Sequence, residues 1–287
     1  MILITSRHLP FSCMNFHKKF LSISEKNNSL LCVGLDVDSE KIPGFLQKNH
    51  DSPLLEFNKN IIDATKDLVC GYKLNMAFYE QFGLGGIQLL VDTIAFIPKE
   101  ILIILDGKRN DIGNTAARYA KSLFDVLHAD AITINPYLGI DGVQPFLDYT
   151  DHVSFILCRT SNKSAGDFQD LTSGNQPVFE HVAHKIVEWN AHDNCGVVVG
   201  ATYPEELKKI REIVGNKIPF LIPGIGKQGG DIQKTIEFGT NNQGHMAIIN
   251  SSRGILYTDT SETYAKSARS EAVSLRDTIN KFRKLKS

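Results

Sequence analysis

The chain sets Asp106, Lys108 and Asp111 close together in the run Ile101-Leu-Ile-Ile-Leu-Asp-Gly-Lys-Arg-Asn-Asp111. A lysine ammonium beside a carboxylate can donate a proton or stabilise developing negative charge, because the acid keeps it protonated. Side chains alternate along an extended backbone, so Asp106 and Lys108 are predicted on one side and Gly107 and Arg109 on the other. The same spacing puts Lys73 and Asn75 together in Tyr72-Lys-Leu-Asn75, and Asp36 closes the apolar run Leu30-Leu-Cys-Val-Gly-Leu35. A second chemistry lies further on, in Pro223-Gly-Ile-Gly-Lys-Gln-Gly-Gly-Asp231 and Ser251-Ser-Arg253-Gly254. Its glycines admit close approach of a ligand to the backbone, Gln228 offers an amide donor, and Arg253 presents a planar fork that matches phosphate oxygens.

These groups sit at the ends of apolar runs that must position them. Strands are predicted over Leu30–Leu35, Tyr72–Asn75, Ile101–Asp106, Ala131–Asn135, Val153–Cys158, Gly196–Ala201, Phe220–Ile222 and Ala247–Asn250. Several lack polar interruption, the pattern of strands covered on both faces as in a parallel sheet. Helical spacing intervenes, for example at Leu54–Val69, Ile87–Phe96, after Asp111 and at Val178–Trp189. Such alternation predicts an α/β fold, a (β/α)8 TIM barrel forming a single domain. An extra N-terminal helix is expected from Phe16 to Ser24 and a covering helix from Ser261 to Leu285, with residues 1–15 an extension of a barrel domain 16–287. Barrel sites lie at the carboxyl ends of the strands, with phosphate held by the loops after strands seven and eight. Unpaired N–H groups of the helix after the glycine-rich loop are expected to face that anion. Lys163–Gln176 reads as a polar loop without periodicity, long enough to be functional.

Composition narrows the partners. The 287 residues carry a formal net charge of −1, which provides no overall attraction for nucleic acid or an anionic membrane surface. The 5 cysteines (Cys13, Cys32, Cys70, Cys158, Cys195) are scattered singly and read as small buried hydrophobes in a reducing compartment. No apolar run approaches the roughly 18 residues of a membrane span, and Met1–Met14 lacks the pattern of a secretory signal. The expected setting is cytoplasmic, and no metal site is expected, since none of the histidines falls at ligand spacing in the functional loops.

Taken together, Asp106, Lys108, Asp111, Ile112 and Thr115 resemble the signature of the orotidine 5′-monophosphate decarboxylase family. The resemblance extends through Asp36, Lys73, Ser161, the glycine-rich stretch and Arg253, and so spans most of the chain. It implies decarboxylation of orotidine 5′-monophosphate to UMP in de novo pyrimidine biosynthesis, without metal or organic cofactor. Lys73, Asp106, Lys108 and Asp111 would be the catalytic charges, with Lys108 stabilising and protonating the carbanion at pyrimidine carbon 6. Asp106 would also repel the substrate carboxylate, by roughly 4 kcal/mol at about 4 Å and an effective dielectric near 20. Asp36 and Lys73 would hold ribose hydroxyls, Ser161 the pyrimidine amide, and Gln228 and Arg253 the phosphate, with Asn75, Pro223 and Gly230 also lining the substrate. A homodimer is implied, Asp111, Ile112 and Thr115 reaching the neighbouring subunit's site, and Lys163–Gln176 would be a lid.

Other readings remain open at this level. Asp111 could be only the N-cap of the next helix, Asp106 and Lys108 a rim ion pair, Asp36 a cap, Ser161 a turn residue and Ile112 core. Rival activities are a Mg2+-dependent β-keto acid decarboxylase of sugar phosphates, a class I aldolase using Lys73 or Lys108 as an imine, and a barrel that binds nucleotide without turnover.

Overall fold

Short apolar segments covered on both faces become the staves of a closed parallel barrel in the computed structural model, which describes residues 15–225 and 231–283. The strands are β1 (Leu31–Gly34), β2 (Gly71–Asn75), β3 (Leu102–Arg109), β4 (Ala131–Ile134) and β5 (Val153–Arg159), then β6 (Thr172–Ser173) and β7 (Gln176–Pro177), then β8 (Cys195–Val199), β9 (Phe220–Pro223) and β10 (Ala247–Ser251). The barrel runs β1-β10-β9-β8-β5-β4-β3-β2, while β6 and β7 form a separate antiparallel hairpin. The predicted eight-stranded (β/α) barrel is therefore the fold.

Helices complete the crossovers. They are α1 (Phe16–Lys26), α2 (Gly44–Asn49), α3 (Pro53–Thr65), α4 (Ala77–Glu80), α5 (Gly83–Phe96), α6 (Gly113–Lys121) and α7 (Ile140–Leu147). After them come α8 (Val178–Trp189), α9 (Pro204–Val214), α10 (Ile232–Gly239), α11 (Arg253–Leu256) and α12 (Tyr264–Phe282). The expected N-terminal helix is α1. Its Phe16 ring meets Phe155 edge-on at 6.0 Å, and Lys19 pairs with Asp130 at 2.7 Å, just before β4. Asp130 also accepts the Ile103 N–H at 2.8 Å, so α1 is fastened to the amino end of the strands, opposite the functional groups.

Alternation explains how β2 delivers a charge into the barrel. Tyr72 turns outward, where its hydroxyl meets Thr65 Oγ1 at 2.8 Å and the Ile62 carbonyl at 3.1 Å on α3. Its neighbour Lys73 must then face the interior. The strand is buried along both faces, so the lysine is 4% exposed.

Two segments depart from the sequence reading. β3 continues past Asp106 to Arg109, and its pairing with β4 shifts register between Leu105 and Arg109. At this irregularity Lys108 has φ +45°, left-handed backbone that a lysine adopts only where its surroundings enforce it. The segment 163–176 is not structureless either. A 3-10 turn spans Lys163–Asp167, and the β6–β7 hairpin closes through Gly174 at φ +62°. Backbone bonds from Val178 to Leu171 at 2.8 Å and from Phe179 to Gln169 at 3.1 Å tie it to the start of α8.

Candidate active site

At the carboxyl ends of the strands lies a cavity of about 430 Å³, lined by Lys73, Asp106, Lys108, Thr133, Ser161 and Pro223 among others. Groups from β2, β3, β4, the loop after β5 and β9 thus share one cleft. Asp106 is its electrostatic centre. Oδ2 accepts from Lys73 Nζ at 3.0 Å and Oδ1 from Lys108 Nζ at 2.7 Å. Asp36, from the loop after β1, lies 3.6 Å from Lys73 Nζ.

Burial and charge compete over these groups, and charge prevails. Burial alone would raise the Asp106 pKa, but the Lys73 and Lys108 ammonium groups hold it well below the usual carboxylate range. Burial would lower the Lys73 pKa, but Asp106 and Asp36 raise it overall. Beneath them burial pushes the Cys32 thiol up to about 12, so it supplies no thiolate at neutral pH. Lys108 differs in access: its side chain is 48% exposed against 5% for Lys73. Lys73 is therefore a fixed internal cation, and Lys108 a cation presented to whatever enters the cleft.

Asp106 and Lys108 meet as alternation predicted, but along a kinked backbone path. Thr133 on β4 makes this possible, its hydroxyl donating to Asp106 Oδ1 at 2.8 Å and accepting the Lys108 N–H at 3.0 Å. Arg109 turns away to pair with Glu80. These charges do not form a rim ion pair, because Asp106 is enclosed from both sides.

The chain matches the family model described as Orotidine 5′-phosphate decarboxylase / HUMPS family over residues 29–268. It is 48% identical to the orotidine 5′-phosphate decarboxylase of Dehalococcoides mccartyi strain BAV1 over 275 residues, covering 94% of this chain and 99% of that relative. Identity to the enzyme of the same name from Cellvibrio japonicus is 45%, over 93% of this chain and 98% of the relative. Among solved structures, the OMP decarboxylase of Leishmania donovani superposes with a TM-score of 0.83 at 36% identity, covering 94% of this chain and 99% of that one. The chain belongs to the orotidine 5′-phosphate decarboxylase family.

As a member of the orotidine 5′-phosphate decarboxylase family it is an enzyme, a carbon–carbon lyase. The remaining residues predicted for the site fall into three groups. Asp36, Ser161 and Pro223 lie in or beside the cleft. A Cβ on Gly200 would come within 2.7 Å of Ser161 Cβ, so only glycine lets the β8 end approach this loop. Asn75 ends β2, but its Oδ1 accepts the Ala77 N–H at 3.3 Å, a local turn contact. Asp111, Ile112 and Thr115 do not line the cavity; they stand just before and within the first turn of α6. Ile112, at 56% exposure, is not core. Asp111 is not the N-cap of α6, a place Ile112 takes; its Oδ1 accepts the Ile112 N–H at 2.8 Å.

At the end where the sequence predicted anion binding, Arg253 opens α11 with its side chain exposed. Gln228 and Gly230 lie outside the described residues. The helix after that loop, α10, does not present all its N–H groups to a ligand, because the Asp231 carboxylate accepts from Lys234 N–H at 3.1 Å. A carboxylate at that cap satisfies the donor internally.

Sequence reasoning missed Thr133, Gln169 and Arg159. Thr133 carried a faint signal, a hydroxyl between isoleucines in a buried strand. Gln169 lines the cleft; its Oε1 accepts the Thr160 N–H at 2.9 Å and its Nε2 donates to Thr160 Oγ1 at 2.8 Å. Arg159 is 3% exposed, donates to Gln169 at 3.2 Å and Asp170 at 3.1 Å, and lies 4.1 Å from the Tyr203 ring centre. Nothing in the local sequence pairs residues of β5 with Gln169 and Asp170.

Proposed function

We propose that this protein decarboxylates orotidine 5′-monophosphate to UMP, in the cytoplasm and without metal or organic cofactor. The observation that carries the reading is the chain of alternating charge Asp36, Lys73, Asp106, Lys108, with the last amine opening into a cleft shared with Ser161 and Pro223. In the reaction the bond between pyrimidine carbon 6 and the carboxyl carbon breaks, CO2 leaves, and the electron pair stays on carbon 6. Lys108 opposes that charge with its ammonium and donates the proton that replaces CO2; the neutral amine regains a proton from solvent. Asp106 fixes Lys108 before the charge appears, so little reorganisation is needed during the step.

In this reading Asp36 and Lys73 bind ribose hydroxyls, Ser161 the pyrimidine amide, and Arg253 with Gln228 the phosphate. Asn75 and Gly230 serve the substrate nearby. Asp111, Ile112 and Thr115 act on the neighbouring site in a homodimer. Supporting this, α7 packs on α6, and exposed apolar groups stand at the start of both: Ile112 before α6, and Tyr137 at 82%, Leu138 at 45% and Ile140 at 39% at the start of α7. A surface patch of that kind favours burial against another chain. The segment 163–176 acts as the lid. Among the described residues no helix is long and apolar enough to cross a membrane.

An imine on Lys73 fits poorly, because its pKa is raised and the buried ammonium lacks the lone pair an imine requires; an imine on Lys108 is tested by borohydride trapping with substrate, which is expected to leave the protein unmodified. The test follows the loss of ultraviolet absorbance from orotidylate in excess EDTA. Wild type is expected to retain full activity, and Lys108→Ala to lose nearly all of it. Turnover abolished by chelator would return the metal-dependent alternative. Tight UMP binding without CO2 release would reduce the protein to a nucleotide-binding barrel.

A further inference from the structure

Among the described residues, none makes a hydrogen bond to Asp36 Oδ1, on the side of the carboxylate nearest Lys73. Oδ1 is buried and unpartnered, and its contact with Lys73 Nζ is at 3.6 Å. Its direction must therefore be set by the backbone that carries it. That backbone is pinned by tyrosines. Tyr79 O–H donates to the Leu35 carbonyl at 2.8 Å. Tyr257 O–H donates to the carbonyl of Asp36 itself at 2.8 Å, and the same oxygen accepts the Asp38 N–H at 2.8 Å.

The two tyrosines differ in what they are attached to. Tyr79 belongs to α4, and Asn58 of α3 donates to its hydroxyl at 3.2 Å, so it fastens Asp36 to the scaffold. Tyr257 follows α11 directly, its N–H bonded to the Arg253 carbonyl at 3.3 Å, and its ring stacks on Phe57 at 5.9 Å. The residue that opens α11 is Arg253, so one short turn carries the exposed guanidinium at one end and the Asp36 clamp at the other. Because the Tyr257 hydroxyl donates to the Asp36 carbonyl, any displacement of this turn would be passed to the backbone from which the Asp36 side chain leaves.

We infer that Tyr257 is a positioning residue that couples occupancy at Arg253 to the placement of Asp36, so that the phosphate end of the substrate improves the grip on its ribose. The inference rests on the proposed assignment of Arg253 to phosphate and Asp36 to ribose hydroxyls. Binding energy gained far from the reacting atoms is useful when it orders groups near them.

Calorimetry with four ligands tests it: UMP, 2′,3′-dideoxy-UMP, uridine and 2′,3′-dideoxyuridine. The ratio of dideoxy to parent Kd gives the worth of the ribose hydroxyls, with or without phosphate. In wild type this ratio is expected to be about tenfold larger for the nucleotides, the scale of one main-chain hydrogen bond made or lost. In Tyr257→Phe, which keeps the ring and removes the hydroxyl, the two ratios should coincide. Equal ratios in wild type, or a difference that survives in Tyr257→Phe, overturn the inference. A purely structural role would weaken all four ligands alike and leave the ratios unchanged. If Asp36→Ala instead keeps the wild-type nucleotide ratio, the ribose assignment itself is what fails.

Discussion

Thr133 donates its hydroxyl hydrogen to Asp106 Oδ1 at 2.8 Å while the same oxygen accepts the main-chain N–H of Lys108 at 3.0 Å. One side chain from β4 thus holds both the carboxylate that pairs with Lys108 and the left-handed backbone from which Lys108 projects. Thr133→Val keeps the shape, removes both bonds and leaves the Lys108 N–H without its partner, at a cost of about 1–3 kcal/mol. The expected result is a fall in kcat of about ten- to hundredfold with a smaller change in KM, read by steady-state decarboxylation. An unchanged kcat would remove Thr133 from the account.

Asp106 ties its site to stability through pH. Its folded-state pKa lies below the ordinary 3.8, so the unfolded chain takes up a proton there first as pH falls. The stability contributed by its ionisation is full above about 3.8 and is lost as pH drops toward the folded value. Urea unfolding of wild type and Asp106→Asn should therefore show wild type more stable at neutral pH, the gap narrowing as pH falls below 3.8. A gap that widens in acid would mean the two lysines do not hold this carboxylate ionised.

Arg159 and Gln169 bind the segment 163–176 to the strand that precedes Ser161. Arg159→Lys keeps a charge near Asp170 but cannot reach Gln169 and Asp170 with a rigid fork. Expected are a KM raised about tenfold with kcat less affected, and faster cleavage by protease within 163–176. Protection equal to wild type would show that the hairpin holds itself.

Subunit sharing has a mixing test. Lys108→Ala and Asp111→Ala proteins should each be inactive alone and regain activity when mixed and allowed to exchange, since some dimers then carry one intact site. Exchange without recovery would place Asp111 in its own subunit's chemistry.

Much of this protein is written locally. Runs such as Leu102–Leu105 and Cys195–Val199, buried along their length, announce strands of a parallel sheet, and the helical spacing between such runs announces the barrel. Because a barrel gathers the carboxyl ends of its strands on one face, the polar residues at the ends of those runs, Asp36, Lys73, Asp106 and Lys108, are legible in the sequence as parts of one site.

What only the tertiary structure decided are relations between strands and loops. The φ of +45° at Lys108 depends on the β3–β4 register, which closure of the barrel sets and Thr133 stabilises. The stretch just before the β6–β7 hairpin is held by a buried guanidinium from β5 through Gln169 and Asp170, and Tyr257 reaches Asp36 across 221 residues of chain. A sequence pattern reports how each residue partitions between water and a neighbouring surface. Which donor meets which acceptor across the barrel follows from register and packing, and those exist only once all the strands have closed.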